Sequence, residues 1–210
     1  MAELSQEELE LRILREDDGL VVVDKPFDLP STGRQLDDSD SLQYALIQHY
    51  GSMTWAVHQL DADTTGVNVF VRQRELVKVW QARLRFPAAH KSYLGIIHGS
   101  VPDAGMLLDT HIDWRRAVTR IQPLDQTNEA ALLRIEIETG RTHQIRIHLQ
   151  SIGLSLFGEE WYRPTKCTQH PRQALHAQRI QLPDTTLEAP VPADLVSLAG
   201  KLGLNIPENH

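Results

Sequence analysis

The stretch Ala131 to Glu138 constrains the fold more than any other. Ala131, Leu133, Ile135 and Ile137 alternate there with Leu132, Arg134, Glu136 and Glu138. Successive side chains of a strand point to opposite faces, so this period marks a half-buried β-strand. Its surroundings are strand-rich too: Met106–Ile112, Ala117–Leu124 and Ala174–Leu182 have strand character, as do Leu20–Asp24, Val67–Val71 and Ser92–Ile97 earlier. Lys25-Pro26 closes the first of these, because a residue before proline avoids the helical region.

Helical spacing is confined to a few segments. Ser41 can cap a helix that runs to Tyr50 and ends at Gly51, with Leu42, Ala45, Leu46 and Tyr50 on one face. Arg74–Phe86 has helical spacing, with Leu76, Val79, Trp80 and Leu84 in register. Thr142 is positioned to cap a helix to Ile152, and Leu195–Leu202 reads as a closing helix. Strands with few interspersed helices predict an α+β fold around a mixed, largely antiparallel sheet.

A length of 210 residues predicts one domain, divided here into an acidic leader over 1–10 and a single domain over 11–210. Such a chain buries a core without disulfide or metal staples. No apolar run is long enough to span a bilayer, and the acidic start lacks the basic and apolar regions of a signal peptide. One cysteine, Cys167, excludes an intrachain disulfide and suits a reducing cytoplasm.

The net charge of −7 is unevenly placed: residues 1–40 hold twelve acids and four bases, the rest sixteen acids and seventeen bases. A basic run, Arg72, Arg74, Lys78, Arg83, Arg85 and Lys91, is interrupted only by Glu75. Such a run is most often a solvated helix face; the alternative is a phosphate-facing surface.

Three segments concentrate polar chemistry. In His58-Gln59-Leu60-Asp61-Ala62-Asp63-Thr64-Thr65-Gly66, two acids lie in a turn just before an apolar strand. Asp61 and Asp63 are there either turn-stabilising groups or functional carboxylates. Lys91-Ser92-Tyr93-Leu94 puts a tyrosine on a strand, where core packing with the hydroxyl at the rim is usual. Thr139–His148 packs two arginines, two histidines and a glutamine into a helix start. His143 and His148 are five apart, not the four that align two ligands, and no Cys/His cluster has zinc spacing, so no metal is expected. Glycine-rich phosphate loops are absent from the sequence.

Taken together, these segments closely resemble the RluA-type family of pseudouridine synthases. HQLDADTTG is similar to the family's His-Arg-Leu-Asp-x-x-Thr-Ser-Gly, and DKP (Asp24–Pro26), KSYLG (Lys91–Gly95), GRTHQIRIH (Gly140–His148) and LHA (Leu175–Ala177) follow the family's order. Resemblance extends over about residues 10–195. It implies a pseudouridine synthase fold with a central cleft, Asp61 as the catalytic aspartate, Tyr93 stacking on the target base and Arg146 pairing with the aspartate. It implies substrate contacts from His58, Gln59, Arg141, His143 and Gln144, with Leu175 near the apolar residue that lines the pocket. Two positions depart from the pattern: Gln59 replaces an arginine and Thr65 a serine. The S4-type RNA-binding domain of some relatives is not expected in the ten residues before the resemblance begins.

The implied reaction breaks the uridine N1–C1′ bond, rotates the base and joins C5 to C1′. As an isomerisation it needs no cofactor. Its carboxylate has to stay ionised in a closed pocket, which a nearby cation favours, and the target base has to leave its stack, at a cost of about a few kcal/mol. The expected partner is structured RNA, ribosomal or transfer, bound by a monomer; single-stranded and loop contexts suit it best. An RNA-binding or RNA-folding protein with little turnover is the competing reading, motivated by Gln59. A carboxylate hydrolase built on Asp61 and Asp63 is poorer, since residues two apart in a turn seldom reach one bond.

Overall fold

The computed structural model describes residues 4–163 and 170–207; Cys167 lies outside them. In chain order the elements are α1 (Gln6–Glu10), β1 (Ile13–Asp17), β2 (Leu20–Lys25), α2 (Leu42–Tyr50), β3 (Trp55–Ala56), β4 (Thr65–Val71), α3 (Arg74–Leu84), β5 (His90–His98), β6 (Met106–Ile112), β7 (Arg115–Gln126), β8 (Ala130–Ile137), α4 (Gln144–Ser151), β9 (Leu175–Gln181), β10 (Thr186–Glu188) and α5 (Ala193–Lys201). These sheet strands and short helices make the fold α+β, as the sequence predicts. The chain forms two compact units, residues 1–89 with 177–190 and residues 90–176 with 191–210.

In the first unit the strand order is β1-β2-β4-β9, with β3 beside β4 and β10 beside β9. β2 and β4 are antiparallel, Val22 opposite Val69. Every residue of β4 is buried, so both sheet faces need cover. Leu20, Val22, Val67, Val69 and Val71 pack with Trp80 and Leu84 of α3. Val21, Val23 and Phe70 pack with Leu42, Ala45 and Leu46 of α2 and Leu9 of α1. Each such aliphatic burial contributes about 1.5–3 kcal/mol.

α2 follows its sequence signals: the Ser41 side chain accepts from the Tyr44 N–H, and Gly51 closes the helix at φ 59°. The acidic leader contains a short helix, α1. Ser5 and Glu8 form a capping box, and Leu9 is fully buried. On α3, Val79 is half-exposed although it shares the helical spacing; the helix packs inward through Trp80 and Leu84, with Leu76 and Val77 partly buried beside them.

The second unit has the order β5-β8-β7-β6, each neighbouring pair antiparallel. Ala131, Leu133, Ile135 and Ile137 face a core completed by Ile145 and Leu149 of α4. The opposite face of β8 is covered as well, because Ala130 and Leu132 pack against Leu195, Leu198 and Ala199 of α5. Further along, Arg134 and Glu136 are half-exposed and Glu138 is exposed, as the alternation predicts.

Candidate functional site

In the first unit the HQLD segment is fixed through its main chain. The Leu60 N–H donates to Ser31 Oγ at 2.9 Å, and Ser31 Oγ donates back to the Leu60 carbonyl at 3.4 Å. Two residues on, the Ala62 carbonyl accepts from the Leu29 N–H at 3.4 Å and from Lys25 Nζ at 2.7 Å. Lys25 is fully buried, and its ammonium also donates to the carbonyls of Pro26 and Leu29, each at 2.7 Å. The DKP lysine therefore staples the loop after β2 to the turn that carries Asp61.

Asp61 is half-buried, and its carbonyl closes the turn by accepting from the Thr64 N–H at 3.0 Å. His58 Nε2 accepts from the Val69 N–H at 3.2 Å and the His58 carbonyl from Asn68 Nδ2 at 3.0 Å, which ties the start of the segment to β4. Gln59 is exposed and donates to Thr32 Oγ1 at 2.8 Å. Gly66 ends the motif at φ 108°, where a Cβ would meet the Ala177 carbonyl oxygen at 2.2 Å. Only glycine lets the two backbones approach so closely.

The second unit gathers Tyr93, Leu175 and α4 around one core. Tyr93 lies opposite Ile135 and packs against the cluster that contains Leu175, Ile145 and Leu149. Gly95 makes room there, since a Cβ would lie 2.9 Å from Ile135 Cδ1 and 3.6 Å from Leu175 Cδ1.

The helix start differs from the expected Thr142 cap. Thr142 is exposed, and the N-cap is His143, in the left-handed region at φ 52° with no side-chain capping bond. Gln144 holds the turn instead. Its Oε1 accepts from Thr139 Oγ1 at 2.7 Å and from the Arg141 N–H at 3.1 Å. Its Nε2 donates to the Val118 carbonyl at 2.9 Å and to Thr119 Oγ1 at 3.0 Å. All four hydrogen-bonding positions of the buried amide are thereby used. Arg141 Nε and Nη2 donate to the Arg116 carbonyl at 3.1 and 3.0 Å. His143 Nδ1 lies 2.8 Å from the Tyr162 hydroxyl.

Arg146 is buried against Glu159, which sequence reasoning missed. Its Nε donates to Glu159 Oε2 and its Nη2 to Oε1, both at 2.8 Å. Burial alone would raise the Glu159 carboxyl, but Arg146 and the N–H groups of Trp161 and Tyr162 outweigh it and hold it below the usual carboxylate range. Glu159 sits among polar neighbours in Gly-Glu-Glu-Trp-Tyr, with no local period to signal its burial.

His148 serves the structure: its ring nitrogens lie 2.8 and 3.0 Å from the hydroxyls of Thr119 and Thr110, and burial pushes its imidazole down. Among the described residues no group of three or more His, Cys, Asp or Glu could hold a metal ion, and no helix is long and apolar enough to cross a membrane. The basic run divides. Arg72 pairs with Glu16 at 3.2 Å, Arg83 bonds Asp184 at 2.7 Å, and Arg74, Lys78 and Arg85 are exposed. Asp61 belongs to the first unit, Tyr93, Arg146 and Leu175 to the second.

Residues 19–151 match the family described as RNA pseudouridylate synthase. The ribosomal large subunit pseudouridine synthase D of Nitrosomonas europaea is 31% identical over 91% of this chain, which spans 65% of that relative's length. The protein of the same name from Haemophilus influenzae is 33% identical, with 97% of this chain and 74% of that one covered. The solved structure of human RNA pseudouridylate synthase domain containing 4 superposes with a TM-score of 0.79 over 97% of each chain, at 24% identity; that likeness is one of fold.

Proposed function

The chain belongs to the RluA-type family of RNA pseudouridine synthases, and from that membership we propose that it isomerises specific uridines in structured RNA to pseudouridine, with Asp61 as the catalytic carboxylate. Tyr93 stacks on the flipped base, and Arg146 supplies the positive charge that favours an ionised aspartate. His58, Gln59, Arg141, His143 and Leu175 form the substrate-contacting set, while Gln144, its amide already satisfied within the protein, holds the start of α4. In the reaction the N1–C1′ bond breaks, C5 bonds to C1′, the C5 proton leaves and N1 gains one. Nothing is oxidised or reduced, so the balance calls for no cofactor.

The observation that carries this reading is the Asp61 turn. A fully buried lysine is committed to the main chain beside Asp61, while Asp61 itself stays half-exposed. A carboxylate on a backbone fixed in this way is oriented before substrate arrives, which is what positional catalysis requires. The names of the Nitrosomonas and Haemophilus relatives point to large-subunit ribosomal RNA as the first substrate to try; transfer RNA is the second.

The test is incubation of the purified protein with transcribed large-subunit ribosomal RNA, followed by mapping of pseudouridine. We expect product without added nucleotide, and a loss of several orders of magnitude in turnover for Asp61→Asn with RNA binding retained. Comparable product from the Asn variant would remove Asp61 from the catalytic role. Tight RNA binding without product from the unaltered protein would favour an RNA-folding function.

A further inference from the structure

We propose that Glu159 is a positioning residue for Arg146, setting the edge of the guanidinium that the reaction uses. This rests on the reading of Arg146 as a site residue of an RNA pseudouridine synthase. A guanidinium offers a side-on edge, Nε with Nη2, and an end-on edge, Nη1 with Nη2. Glu159 takes the side-on edge with both oxygens, at 2.8 Å each. The end-on edge is thereby the one turned away from Glu159.

Glu159 is itself immobilised. It is 1% exposed against 8% for Arg146, and its Oε1 also accepts from the N–H groups of Trp161 at 3.0 Å and Tyr162 at 3.3 Å. The carboxylate is therefore built into the turn that follows Phe157 and Gly158, not carried on a mobile stem. The same turn supplies two rings beside the cation, with the guanidinium carbon 5.3 Å from the Trp161 centroid and 5.1 Å from that of Tyr162. Arg146 is gripped along one edge and flanked by two rings, all from four consecutive residues of one segment.

A buried ion pair adds little net stability over apolar packing of the same volume, because desolvation consumes most of the attraction. What this pair supplies is orientation. A planar fork held by two parallel charge-assisted bonds has one setting, whereas a lysine in its place would be a rotatable point charge. Arg146 remains protonated in any case, so Glu159 acts on where the charge sits and not on whether it exists.

The experiment is a double-mutant cycle on turnover of ribosomal RNA by the full chain, using Glu159→Gln, Arg146→Lys and the pair, with thermal unfolding measured for each. We expect Glu159→Gln to lower kcat by about 10–100-fold, the scale of a misplacement of roughly 1 Å, with KM for RNA nearly unchanged. In the Arg146→Lys background the same change should alter kcat by less than about threefold, since groups acting as a unit are non-additive. An equal kcat loss in both backgrounds would overturn the proposal, as would a rise in KM at constant kcat. If Glu159→Gln does not fold, Glu159→Asp takes its place: it keeps the charge but draws it back by one methylene, so kcat should still fall and unchanged kcat is again fatal. Product from the unaltered protein and full product from the Glu159 variant would sink the positioning role alone; no product from the unaltered protein would sink the functional reading beneath it.

Discussion

Each unit commits a fully buried cation to backbone carbonyls beside a candidate site residue, and the two do so with different chemistry. In the first unit Lys25 places one ammonium at the meeting point of three carbonyls, those of Pro26, Leu29 and Ala62. In the second, Arg172 divides its fork. Nη1 donates to the carbonyls of Gln173 and Leu175 at 2.9 and 3.0 Å, while Nε and Nη2 grip the Asp194 carboxylate at 2.7 and 3.1 Å. A tripod of carbonyls suits a compact ammonium with three rotatable donors; a carboxylate and a carbonyl pair on separate edges suit a rigid planar fork. The lesson concerns how a protein offsets the desolvation of a buried charge. The three Lys25 bonds to carbonyls go to fixed dipoles that do not titrate, whereas Arg172 also grips a carboxylate that does.

Replacing Lys25 has the largest expected effect on this distinction. Lys25→Arg keeps the charge, but a fork cannot bring three donors to one point. Lys25→Met removes the charge and leaves the three carbonyls short of a donor. With bonds to charged groups at about 1.5–3 kcal/mol each, the methionine variant should lose at least about 3 kcal/mol and the arginine variant a large part of that. Urea unfolding of the three proteins measures this directly. Should Lys25→Arg prove as stable as the unaltered protein, charge alone matters at this position and the geometric distinction between the units fails.

Acid offers a second and smaller test. In the second unit, burial together with Arg163 pushes the His98 imidazole down to about 4, and burial pushes His148 down as well. Glu159 is held below the usual carboxylate range by Arg146 and main-chain donors, against its burial. Asp194 is held low by His170 and Arg172, again against burial. Each of these four groups binds a proton more readily once unfolded. The histidines contribute stability in full above about pH 6.5, their unfolded value, and lose it as the pH falls toward their folded values. The two carboxylates begin to lose theirs only below about pH 4. All four lie in the second unit. Hydrogen exchange at pH 7 and pH 5 should therefore show β8 and α4 losing protection before β2 and β4. Loss in the reverse order would show that the units do not differ in their response to acid.

The comparison also explains what was legible in the sequence. β2, β4 and β8 announce themselves because burial on a sheet face writes a local pattern of apolar and β-branched residues. α2 is equally plain, since both its caps, Ser41 and Gly51, lie within the segment itself. β1 is not: Ile13–Asp17 carries mainly exposed side chains, and it becomes a strand by pairing with β2. β3 and β10 span two and three residues, too few to show a period. The start of α4 lies one position beyond the expected Thr142 cap because Gln144 answers to Val118 and Thr119, more than twenty residues away. Among the candidate site residues, Asp61, Tyr93 and Arg146 follow from motif resemblance, not from pattern. The groups that hold their surroundings are harder to find. Lys25 sits in the DKP motif, yet its target Ala62 lies 37 positions on. Glu159 has no sequence signal, because a glutamate next to another glutamate reads as surface until its partner on α4 is known.

The smallest effect concerns Gln59, where this chain departs from the family pattern. The side chain is exposed and meets the hydroxyl of Thr32 on the loop that Lys25 helps to fix. An arginine there needs no burial and disturbs neither Lys25 nor the main-chain bonds of Leu60, so Gln59→Arg should leave urea unfolding unchanged. If residue 59 faces the RNA backbone in the proposed complex, the added cation releases further counterions and binding tightens most at low salt. The log–log dependence of affinity on salt should then steepen by about 0.7 for a single-stranded target, the value of one phosphate contact. The corresponding change in the second unit, Gln150→Arg on the exposed end of α4, serves as the control for nonspecific charge, since it lies outside the proposed substrate-contacting set. Equal slopes for the two variants would mean that added charge acts wherever it is placed. A steeper slope for Gln59→Arg alone would identify the Lys25-held turn as a surface that meets phosphate, and an unchanged slope would remove residue 59 from the substrate-contacting set.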